Sequence, residues 1–140
     1  MERAKWSTGP HLLEFEPPDL FHYHVCGTVL ASDINGAYRV MREEVIPNVG
    51  DVYLLVHMKD IGTEAMPKET RDYLVTLDLP AKGTVVIGGA RLARTALAVL
   101  AQAVTAISSK PLLIKVVGTD EEALDCVKKW RSASASHRAD

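Results

Sequence analysis

Thr84-Val85-Val86-Ile87 leads directly into Gly88-Gly89-Ala90-Arg91 and then into a helical pattern, and this junction constrains the fold more than any other stretch. A short β-branched apolar run without alternation marks a strand buried on both faces, as in the parallel sheet of an α/β domain. The glycine pair permits a tight turn and close backbone approach, so strand passes to helix within a few residues. The junction speaks to architecture; no residue set in the chain spells out a reaction.

The 140 residues match one ordinary domain, and 47% hydrophobic with 24% charged residues fits a globular protein. A formal net charge of −2 gives no basic stripe, which argues against nucleic acid as a partner. Cys26 and Cys126 make no disulfide framework and read as reduced thiols. The first ten residues lack the apolar core of a signal peptide. The longest apolar stretch, 95–107, is interrupted by Gln102 and Thr105 and is shorter than the ~20 residues a bilayer span needs. The expectation is a cytoplasmic protein with no membrane span.

The expected order is β-β-α-β-α-β-α-β-α, a mixed, mostly parallel sheet of about five strands with an N-terminal hairpin and about four helices. Residues 1–10 read as an N-terminal extension, 11–131 as the domain and 132–140 as a flexible tail. Strands are expected at 11–16, 20–26, 52–58, 84–87 and 112–117. Ser32 is the expected cap of a helix that buries Ile34, Tyr38, Met41 and Val45. Pro67 suits the first helical position of a helix over 67–77, and an apolar helix is expected over 90–107. Thr119 and Glu122 form a capping-box pattern ahead of a last helix with an acidic start and a basic end.

Three stretches carry a family resemblance: Leu54-Leu55-Val56-His57-Met58-Lys59-Asp60, Thr84-Val85-Val86-Ile87-Gly88, and Val116-Val117-Gly118-Thr119-Asp120-Glu121-Glu122-Ala123-Leu124. With the order of elements, they resemble the SpoIIAA-like family within the STAS group (sulphate transporters and anti-sigma-factor antagonists), similar in fold to Sec14-type lipid-binding domains. The resemblance covers roughly residues 12–130 and implies a bacterial, non-catalytic regulatory module that binds a protein partner or a ligand. Antagonists of that group carry a phosphorylatable serine after the strand matching 52–58. Here Asp60 matches the acidic residue, the serine is absent, and Thr63 is the nearby hydroxyl.

Ligands of open α/β sheets sit outside the carboxyl ends of the strands. That rim collects Asp60, Thr63, Gly88, Gly89, Arg91 and Arg94 as candidates for holding a small anion, against the plain alternative of a glycine turn followed by solvated arginines. A lipid-like or other apolar ligand would need a pocket built from Tyr73, Leu74, Leu77 and Leu97. His22 and His24, two apart on one strand, share a face. Cys26 shares it too, but lies about 13 Å from His22 at ~3.3 Å per residue, so the histidines read as solvent-facing or helix-covered and no metal or other cofactor is expected. His57 with Asp60 forms a candidate base pair for an enzyme, but no nucleophile stands beside it, and no catalytic residue is assigned.

Overall fold

Alternation in His11–Glu16 and Leu20–His24 puts Leu13, Phe15, Phe21 and Tyr23 on one face and Glu14, Glu16, His22 and His24 on the other. The computed structural model describes residues 1–59, 66–76, 78–88, 95, 98, 102 and 113–139, the side chains at 75 and 135–139 excepted. It is an α/β fold built on a six-stranded sheet in the order β1-β2-β3-β4-β5-β6. The strands are β1 (Ala4–Thr8), β2 (His11–Glu16), β3 (Leu20–His24), β4 (Tyr53–Lys59), β5 (Gly83–Gly88) and β6 (Ile114–Val117). β1, β2 and β3 pair antiparallel, and β3 through β6 pair parallel. The expected mixed, mostly parallel sheet is therefore present, with one strand more than the sequence suggested. That strand comes from residues 1–10, read as an extension. It is an edge strand whose only large apolar residue is Trp6, so it carries little periodic signal.

Helix α1 (Ala31–Val40) continues through a π-helical turn, Met41–Val45, to a last helical turn, Ile46–Val49. It buries Ile34, Ala37, Tyr38, Met41 and Val45 against Phe15, Phe21, Tyr23 and Leu54. Ser32 does not cap it. The helix opens at Leu30, whose N–H donates to the Asp33 carboxylate at 3.0 Å. Asp33 is held there by a tertiary partner, the buried ring of His11, with Nε2 at 3.3 Å. Helix α2 (Lys68–Val75) lies on the same side of the sheet, and Pro67 is its cap rather than its first residue.

Helix α3 (Asp120–Ala139) packs on the opposite face. The Glu122 N–H donates to Thr119 Oγ1 at 3.2 Å, as the capping pattern anticipates. The helix runs on through the segment read as a tail. Ala123, Val127 and Trp130 cover Leu20, Tyr53, Leu55, Val85, Ile87 and Val117. The helix expected over 90–107 lies outside the described residues, apart from Thr95, Ala98 and Gln102, which are helical. Among the described residues, no helix is long and apolar enough to cross a membrane.

Candidate functional site

The two faces of the sheet present different chemistry. On the α1–α2 side, a cavity of about 120 Å³ is bordered by Tyr23, Val56, Met58, Leu74, Thr84 and Val86, among other residues. The sequence supplies it through alternation: Tyr23, Val56 and Val86 occupy one row across β3, β4 and β5. Among the described residues, the Tyr23 hydroxyl and Thr84 Oγ1 are buried without a hydrogen-bond partner. Burial is the main cause that raises the Tyr23 and Tyr38 hydroxyls well above the ordinary tyrosine value, so both stay protonated and neutral. The cavity is thus apolar, with the Tyr23 and Thr84 hydroxyls in its wall.

On the α3 side, the register of β3 and β4 sets His57 directly opposite His24, with His22 two residues back on the same face. The His24 and His57 rings stack at 4.5 Å between centroids, and His22 lies 5.1 Å from His57. His22 Nδ1 and His57 Nε2 are 2.8 Å apart. Outside this cluster, Asp120 Oδ1 lies 3.5 Å from His57 Nδ1, and Glu16 Oε1 lies 3.6 Å from His22 Nε2. α3 covers Leu20, Tyr53, Leu55, Val85, Ile87 and Val117 on this face, whereas the three histidines are only partly buried.

Burial, followed by the facing His24 and His22, pulls His57 down to about 4, against a smaller opposing pull from Asp120. His24 is lowered by burial and by His22. The charged and titratable groups around His57 are His22 and His24 from β3, Asp120 from α3 and Lys59 from its own strand. Unfolded histidines bind protons near pH 6.5, so between about pH 6.5 and 4 the unfolded chain holds more protons than the folded one. Stability therefore falls as the pH falls through that window. Acidification from pH 7 to 4.5 is expected to lower the melting temperature by roughly 5 °C on this account, the full shift being discounted for partial solvent screening. His57→Leu should remove most of that loss in thermal melts at both pH values. An equal loss in the variant would contradict the assignment.

The sequence-named candidates divide sharply. Asp60, Thr63, Gly89, Arg91, Arg94, Leu77 and Leu97 lie outside the described residues. Gly88 ends β5 with φ 82°, and a Cβ there would stand 3.2 Å from the Lys59 carbonyl oxygen, so the glycine serves close backbone approach. Leu74 borders the cavity, whereas Tyr73 packs against the core beside it. His57 has Asp120 beside its Nδ1, and the Asp60 paired with it in the sequence reading lies outside the described residues. The sequence signal for the cluster was the spacing of His22 and His24. The third histidine, 33 positions beyond His24, needs the strand register to be found. Asp120, read only as a favourable charge at a helix start, also reaches the cluster. Compared with protein-family models, curated proteins and solved structures, the chain matches none of them, so its own geometry carries the functional reading.

Proposed function

We propose that this chain is a non-catalytic regulatory module of the SpoIIAA-like type that responds to a small, mostly apolar ligand held between the sheet and helices α1 and α2. The observation that carries this reading is the apolar cavity with the hydroxyls of Tyr23 and Thr84 in its wall, both without a partner among the described residues. Buried polar groups without partners are uncommon, and each costs on the order of 1–3 kcal/mol, so a ligand that pairs with them gains affinity and specificity. The volume limits the ligand class. About 120 Å³ is close to the ~150 Å³ cavity that holds benzene and below the ~300–1,000 Å³ of drug-sized sites. A ring-sized neutral compound with one hydrogen-bond acceptor fits better than a whole lipid.

The wider alternatives have less support. Docking of a protein through α2 would call for a contiguous apolar patch there. The exposed large apolar residues, Met1, Leu12, Leu30, Leu113 and Leu124, are instead spread over other parts of the chain among the described residues. Acid–base catalysis by His57 is disfavoured because a base held near 4 accepts protons poorly at neutral pH.

The test is an NMR titration of the full chain with acetophenone and with ethylbenzene, which differ mainly in one carbonyl oxygen. Acetophenone is expected to shift the methyl signals of Val56, Leu74 and Val86 and to bind more tightly than ethylbenzene. Thr84→Val should erase that preference, and Val86→Phe should abolish binding of both. If neither compound shifts those methyls, the reading fails.

A further inference from the structure

The histidine cluster gathers three ring-nitrogen donors, all within 4.8 Å of one another, at one point of the sheet. Asp120 stands beside Nδ1 of His57, and Glu16 stands beside Nε2 of His22, a buried nitrogen with no hydrogen-bond partner among the described residues. In the tautomers that place the ring protons on the carboxylate side, His57 Nε2 and His22 Nδ1 both carry lone pairs. Those two atoms face each other at 2.8 Å. A proton on His22 Nδ1 joins them as a hydrogen bond and leaves His22 Nε2 bare, 3.6 Å from Glu16 Oε1. A cation bound to both nitrogens takes the place of that proton. His24, stacked on His57, adds a third donor.

We propose that His22, His24 and His57 form a binding site for one divalent transition-metal ion of the zinc class, with Asp120 and Glu16 as outer carboxylates that orient the rings. The ligand atoms of the three histidines lie within 4.8 Å of one another. Nitrogens held 2.0–2.1 Å from a tetrahedral ion are about 3.3 Å apart, so closure needs shifts of roughly 1–1.5 Å. The broad side-chain torsion of the imidazole ring supplies such movement. Imidazole donors suit zinc, nickel, cobalt and copper, and exclude magnesium or calcium, which take oxygen. Carboxylates behind ligating histidines are the usual supporting arrangement, fixing the tautomer that presents a lone pair to the ion. Three protein ligands leave a coordination position for water or an exchangeable ligand. The cluster belongs to the face opposite the apolar cavity, so the two sites are separate.

The test uses the full chain, stripped with chelator and titrated with cobalt(II) and then zinc. One cobalt per chain with visible d–d absorption is expected, displaced by one equivalent of zinc, and zinc should raise the melting temperature. His24→Gln and His57→Gln should each lower cobalt affinity at least 100-fold. Asp120 is 76% exposed, so Asp120→Asn keeps the fold, checked by circular dichroism, and is expected to weaken binding 10- to 100-fold. Absence of stoichiometric binding by the unmodified chain would overturn the proposal. So would binding that survives His57→Gln unchanged, because the ion would then sit elsewhere. Neither result bears on the cavity, whose titration reads different residues.

Discussion

Asp33→Ala is expected to cost about 2–4 kcal/mol of folding stability, the sum of a lost helix cap and lost hydrogen bonds to a buried carboxylate. Asp33 is only 6% exposed and receives the Leu30 N–H that opens α1. Its other contact is His11, whose Nδ1 accepts the Cys26 N–H at 3.0 Å. The His11 proton therefore sits on Nε2, directed at Asp33 and at the Thr28 carbonyl 3.2 Å away. One carboxylate thus ties the start of α1 to the start of β2 and the loop after β3. Gly9 makes room for it: a Cβ at that residue, whose φ is 55°, would stand 2.2 Å from Asp33 Oδ1. Urea denaturation of the wild type and of Asp33→Ala measures the effect, with Asp33→Asn expected to fall between them. A loss below about 1 kcal/mol would mean that water or a shifted backbone replaces the carboxylate.

Trp130→Ala is expected to cost about 2–4 kcal/mol, toward the lower part of the range for removing a large buried aromatic because Trp130 is only partly covered. The indole stacks on Tyr53 at 6.0 Å and lies against the bare backbone of Gly83, where a Cβ would come within 2.7 Å of the ring. Arg131 assists by donating to the Asp19 carboxylate through Nε at 3.0 Å and through Nη2. Without the indole, Ala123 and Val127 remain as the buried contacts of α3. Gly83→Ala probes the same contact from the sheet side, and its overpacking should cost about 1–3 kcal/mol. The two variants together should cost less than the sum of each alone, because both break one contact. Additive losses would show that Trp130 and Gly83 act independently.

The sheet was legible because its signals are local. β2, β4 and β5 announce themselves by apolar runs between turns, and α1 by Ile34, Tyr38, Met41 and Val45, all of which are buried. β1 was not, since an edge strand with one large apolar residue looks like a polar extension. The end of α3 was missed for a related reason. Ser132 to His137 has no amphipathic period, and helix is carried into it from the capped, packed turns before it. Ser32 failed as a cap because the choice among nearby polar residues was made by His11, 22 positions away. The same limit applies to the histidines. Spacing reveals that His22 and His24 share a face, but only the pairing of β3 with β4 brings His57 to them.

That pairing is the central claim, because it builds the cluster on one face and aligns Tyr23 with Val56 on the other. The Val25 N–H donates to the His57 carbonyl at 3.0 Å, just past the end of β3. A long-range HNCO experiment reads such a bond as a scalar coupling from the amide nitrogen to the accepting carbonyl carbon. A cross-peak between Val25 nitrogen and His57 carbonyl carbon is the predicted result. Coupling of the Val25 amide to any other carbonyl would shift the register and dissolve both the histidine cluster and the row behind the cavity.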